Sequence, residues 1–166
     1  MRQRIERAGI LKSKIKDMPS KGGWYRYLAN RESASQLGID DELWEQLSLT
    51  IVNGQILGYV YVGLTTNIKQ RFGHHLRGNI AASTLRRSIH SLLPNLDKDE
   101  LSNFIDNLYA EYFVEECSVC RVVVEQSEMK TKILPLNVDE NVNPVLTDFV
   151  LALKNKRKML LKSAGT

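Results

Sequence analysis

Two hydrophobic periods alternate along this chain. "GWYRYLA", Gly23 to Ala29, is aromatic-rich and predicts a first strand, with Gly23, Tyr25 and Tyr27 on one face. After a turn at Asn53–Gly54, Ile56 to Leu64 predicts a second strand, antiparallel to the first. Strict alternation there puts Leu57, Tyr59, Tyr61 and Gly63 on one face and Ile56, Gly58, Val60 and Val62 on the other. Val114 to Val124 predicts a third strand, followed by a short helical piece ending at Pro135. The remaining segments have helical spacing. Residues 1–16 predict a short helix stopped by "MPSKGG", and Leu43, Trp44 and Leu47 follow the acidic start Asp40–Asp41. Asn67 caps "IKQRFGHHL", whose Ile68, Phe72 and Leu76 form a buried stripe. Ser83 caps "TLRRSIHSLL", Asp97 opens a longer helix through Tyr112, and Pro144 starts the last helix, through about Leu161. Three strands and several helices out of strict alternation predict an α+β domain: a small three-stranded, mainly antiparallel sheet flanked by helices.

Composition keeps that picture and narrows it. The 166 residues fit a single domain, 1–166, with a core that needs no staples. No apolar run approaches the ~18 residues of a membrane span. The charged start "MRQRIERAGILKSKIKD" is unlike a secretory signal, so a cytoplasmic protein is expected. The net charge of +4 permits a polyanionic partner without demanding one. It is concentrated in the last helix, at about 144–162, where Lys154, Lys156, Arg157, Lys158 and Lys162 stand without an acid among them. Arg77, Arg86 and Arg87 form a second basic group. Cys117 and Cys120 make a lone C-x-x-C; read within a strand, their sulfurs point to opposite faces, which favours buried thiols over metal or redox work.

Chemistry gathers in "YVYVGLTTNIKQRFGHHL", Tyr59 to Leu76. Asn67, Arg71 and His75 are spaced by four, so Arg71 and His75 share a face flanking the buried stripe and close to the strand end. Tyrosines of the two strands, an arginine and a histidine can therefore converge, although paired-strand tyrosines are commonly packing residues.

"GWY" at Gly23–Tyr25 and "YVG" at Tyr61–Gly63 resemble the two signature tripeptides of the GIY-YIG nuclease superfamily. The step from Tyr61 to Arg71 and on to His75 matches that family's spacing, and "PLNVDEN" at 135–141 resembles its closing motif. "ASTLRRSI", 82–89, is similar to a segment of one bacterial branch of stand-alone members. The resemblance implies that Tyr25 and Tyr61 are the motif tyrosines, Arg71 the helix arginine, His75 a histidine many members carry and Asn137 the closing asparagine. The metal-binding glutamate falls on Glu125, twelve residues before Asn137, with Glu128 as the rival. A metal-dependent endonuclease acting on DNA is implied, using Mg2+ (or Mn2+). In it Tyr61 activates water, Arg71 holds the phosphate, and Tyr25 or His75 relays a proton or holds the water. Glycines 23 and 63 would admit a phosphate. Arg77, Arg86, Arg87, Lys154, Lys156, Arg157 and Lys158 would neutralise flanking phosphates. The alternative is a catalytically weak relative that binds nucleic acid, or a subunit of a larger defence or repair complex. One site nicks one strand; cutting both would require a homodimer or rebinding. Two departures stand out. An insert at about 30–55 separates the tripeptides, and "TTN" replaces a serine or lysine after the second glycine, with Lys69 as a substitute.

Overall fold

The computed structural model describes residues 4–139, 141 and 143–163. Parts of three expectations lie outside the described residues: the first three positions of the helix over 1–16, Glu140 of the closing motif, and both ends of the domain 1–166. Five strands form one antiparallel sheet: β1 (Glu6–Arg7), β2 (Gly23–Ala29), β3 (Leu49–Val52), β4 (Gln55–Thr65) and β5 (Tyr109–Val114), in the order β1-β5-β2-β4-β3. Among the described residues eight α-helices surround it: α1 (Ala8–Ser13), α2 (Arg31–Gln36), α3 (Asp41–Gln46), α4 (Ile68–Arg77), α5 (Thr84–Leu92), α6 (Lys98–Asn107), α7 (Ser118–Thr131) and α8 (Thr147–Ser163). The α+β class holds, with five strands where three were expected.

The caps act as their sequence positions require. Asn67 accepts from the Gln70 N–H and Ser83 from the Arg86 N–H, while Asp97 and Glu100 make a reciprocal capping box. Asn53 and Gly54 both take positive φ, the tight turn that folds β3 back onto β4. The insert thus supplies α2, α3 and an added edge strand. Among the described residues no helix is long and apolar enough to cross a membrane.

The third strand lies elsewhere than expected. Tyr109–Val114 pairs with β2, and the helix begun at Asp97 stops at Asn107. "CSVCRVVVE" opens helix α7 instead. Its valines favour strand only while they pack on a pleated face, and here Val119, Val122 and Val123 are exposed. The position beside β2 is already filled, so local capping by Cys117 decides the outcome.

Apolar residues collect on both sides of the sheet. Tyr25, Tyr27, Val60, Tyr61, Ile68, Phe72 and Leu76 belong to the larger cluster; Leu28, Leu57, Tyr59, Val62 and Met129 of α7 belong to the smaller. The expected alternation in β4 is therefore broken. A β-bulge shifts the register between Tyr27 and Leu28, which pair with Tyr61 and Tyr59, leaving Val60 unmatched. Tyr59 and Tyr61 consequently belong to opposite clusters, and Val60 joins Tyr61. At the edge of β4, β3 pairs no further than Gly58. The chain after α7 takes over there: the Leu136 N–H donates to the Val60 carbonyl at 2.9 Å.

Candidate active site

Tyr25 is fully buried at the centre of the larger cluster, and its hydroxyl joins two residues of α4. It lies 3.0 Å from Arg71 Nε and 2.8 Å from His75 Nε2. Arg71 can only donate, so the Tyr25 oxygen accepts from it; His75 bridges on to Ser83, its Nδ1 lying 2.6 Å from Ser83 Oγ. Ser83 Oγ also receives the Arg86 N–H. Burial pushes the Tyr25 phenol well above 10, with Tyr61 adding and Arg71 opposing, so it is neutral. Burial, then Arg71, holds the His75 imidazole well below 6.5, so it too is neutral.

Glycine 63 exists for this row. A Cβ there would overlap the Tyr25 hydroxyl, with Cζ only 2.6 Å away. At Gly23 a Cβ would overlap the Phe113 carbonyl and meet Ile68 Cδ1 at 2.6 Å. Both tripeptide glycines make room for protein, not for the phosphate expected from sequence.

Arg71 carries the buried row to a cavity of about 220 Å3 at the edge of β4. Tyr61, Arg71, Thr84, Glu125, Asn137 and Arg157 are on its wall, joined by Ser88, Met129 and residues 136–139. The Tyr61 hydroxyl lies 2.9 Å from Thr84 Oγ1 on the first turn of α5. Thr84 was not singled out in the sequence, although it stands inside "ASTLRRSI". Asn137 has no free amide atom for chemistry: Oδ1 accepts the Val62 N–H and Nδ2 donates to the Val62 carbonyl, both at 2.8 Å. It pins the chain after α7 to β4 beside Tyr61.

The two glutamates part company. Glu125, mid-helix in α7 rather than at a strand end, lines the cavity. Glu128 does not; its carboxylate receives Arg26 and Lys132, each at 2.8 Å. Arg26 in turn binds the fully buried Glu111 and lies over the Trp24 ring. Burial opposes the Arg26 charge, but Glu128 and Glu111 outweigh it and raise its pKa.

Several expected contacts are redirected. Tyr25 and His75 have no exposure at all, so neither can hold a water in the cavity. Arg86 is also interior, at 1% exposure, and its guanidinium donates to the His75 carbonyl and Ser102 Oγ rather than standing on the surface. Arg87 is half-buried and bonded to the carbonyls of Ile80 and Ala81, and exposed Arg77 donates to the Lys12 carbonyl. Lys69 donates to the Lys16 carbonyl and is absent from the cavity wall, so it does not replace the missing lysine. Arg157 pairs with Asp139, and with Lys154 and Lys158 it lines a second cleft that shares Val138 and Asp139 with the first. Lys156 is exposed on the same helix.

The buried imidazole makes stability depend on pH. The unfolded chain protonates His75 near 6.5, while the folded chain does not until well below that value. The unfolded state therefore binds the extra proton, and stability falls as pH drops below about 6.5, by at most about 1.4 kcal/mol per pH unit. Urea unfolding should show a wild-type midpoint that declines more steeply with acid than that of His75→Gln.

The cavity's anionic donors are the carboxylate oxygens of Glu125 and of Asp139, the latter paired with Arg157, and this oxygen set fits a hard divalent cation that keeps most of its water. Neither curated proteins nor solved structures show a match to the chain. The family model described as the GIY-YIG catalytic domain matches residues 23–159, a span that includes both tripeptides and every cavity residue named above. With most of its length matched, the chain belongs to the GIY-YIG nuclease superfamily.

Proposed function

We propose that the protein is a metal-dependent endonuclease that hydrolyses DNA phosphodiester bonds at the cavity beside β4. One observation carries the reading: Tyr61, Arg71 and Glu125, from a strand and two separate helices, line the same cavity. In-line hydrolysis needs a base for the attacking water, a cation for the phosphoryl oxygens and relief for the leaving oxygen. Tyr61 is the base. Arg71 brings positive charge to the same wall. Arg71 has its Nε fixed by Tyr25 and presents the guanidinium to the non-bridging oxygens. Glu125 would hold the divalent cation, magnesium first, which when bound supplies Lewis-acid stabilisation to the departing 3′ oxygen.

Tyr25, His75 and Ser83 are positioning residues. They hold Arg71 through a row of hydrogen bonds that never reaches the substrate. Asn137 positions β4. Lys154, Arg157 and Lys158 extend positive charge along the neighbouring cleft, where the DNA backbone would leave the cavity.

The test is supercoiled plasmid with pure protein, with and without magnesium. Nicking that requires magnesium and disappears in Arg71→Ala is expected. Plasmid bound but never nicked under any divalent cation would favour the alternative, a relative that only binds nucleic acid.

A further inference from the structure

The C-x-x-C pair has no part in the proposed cleavage, and the structure places it differently from its sequence reading. Both thiols are exposed. Cys117 caps α7 and Cys120 lies in its first turn, with the Cys120 N–H donating to Cys117 Sγ at 3.2 Å. Sulfurs that a strand would send to opposite faces therefore share one end of a helix. The Glu115 carboxylate joins them, and ligand atoms of all three lie within 4.8 Å of one another. Among the described residues this is the sole such group of three metal-ligating side chains.

We propose that Glu115, Cys117 and Cys120 form a binding site for zinc, separate from the cation held at Glu125. Tetrahedral zinc, at about 2.3 Å from sulfur and about 2.1 Å from oxygen, needs ligands about 3.6–3.8 Å apart. The three side chains need only draw in by about 1.2 Å at most, through rotation of two exposed thiols and of a half-buried carboxylate that also accepts the Cys117 N–H. Two thiolates select a thiophilic metal over magnesium.

The backbone under the site is already built. Arg121 is buried, and its Nη1 donates to the carbonyls of Glu115 and Glu116 at 2.7 and 2.9 Å. The Glu115 N–H donates to the Gly22 carbonyl, and a Cβ at position 22 would overlap the same guanidinium. The loop from β5 to α7 is thus fixed before any metal arrives. Arg121 also offsets the single negative charge left when two thiolates and a carboxylate surround a divalent ion. Water takes the fourth position. Zinc there would clamp the start of the helix that carries Glu125 and Glu128.

The experiment titrates reduced, metal-free, full-length protein with Co2+ and then Zn2+, following absorbance. A sulfur-to-cobalt charge-transfer band that saturates at one equivalent and is bleached by zinc is expected. The band should vanish in Cys117→Ser and in Cys120→Ser, whose exposed positions leave folding intact. Glu115→Gln should weaken binding at least about tenfold, the smallest loss typical when even a ligand's supporting partner is removed. Glu125→Gln should give the same sulfur-to-cobalt band as the wild type. A missing band, a band that survives both serine variants, a band lost in Glu125→Gln, or thiols that oxidise to a disulfide with zinc in excess would overturn the site.

Discussion

Tyr61→Phe is expected to reduce plasmid nicking by about 10²–10⁴-fold, the usual worth of a positioned general base, while DNA binding and stability stay near wild type. The substitution keeps the ring, which packs 6.2 Å from Tyr25 and from His75, and removes only the oxygen that meets Thr84. Thr84 is half-buried on the cavity wall, so water replaces the lost partner and the cost is about 1 kcal/mol or less. Tyr25→Phe gives the needed contrast. It strips a shared partner from Arg71 Nε and His75 Nε2 in a fully buried place. The unpaired nitrogens should cost about 2 kcal/mol or more, and nicking should fall because Arg71 loses its anchor. Parallel urea unfolding and plasmid assays separate the two. If Tyr61→Phe nicks within an order of magnitude of wild type, the hydroxyl is not the base.

That contrast was half legible in the sequence. Spacing by four placed Arg71 and His75 together, because a helix capped by Asn67 leaves no other choice, and both meet Tyr25. It could not show that Tyr25 is sealed while Tyr61, though buried at 7% exposure, reaches the cavity wall. Both residues stand in tripeptides on adjacent strands, and their difference arises from the bulge at Val60 and from Leu136 and Asn137 closing the edge of β4. The Asn137 contact joins segments 75 residues apart. The misplaced third strand has another cause. Four valines around Arg121 outweigh local helix signals in any propensity reading, and only competition for the place beside β2 reverses the choice. Arg86 misled for a similar reason. Adjacent arginines after a cap look like one basic surface, yet a helix sends neighbours about 100° apart, and Arg86 goes inward while Arg87 does not.

The glutamate pair supplies the other large effect. Glu125→Gln should lower magnesium-dependent nicking by about 10³-fold, since a carboxylate's charge is replaced by a weak neutral donor where leaving-group stabilisation worth several kcal/mol is needed. Its thermal and urea unfolding should hardly change, because Glu125 lies half-buried at the cavity. Glu128→Gln should do the opposite. It removes the negative charge facing Arg26 and Lys132 and leaves Arg26, pressed against Trp24 and Phe113, with Glu111 as its remaining charge partner among the described contacts. Breaking one side of a mostly buried pair should cost about 2–3 kcal/mol, tempered by the hydrogen bonds the amide keeps. Nicking by the folded fraction should remain, with its magnesium dependence unshifted. Titrating magnesium against nicking rate for both variants decides between them. A displaced magnesium curve in Glu128→Gln and a wild-type curve in Glu125→Gln would exchange their roles, and α7 would then have to turn Glu128 away from Arg26 to reach the DNA.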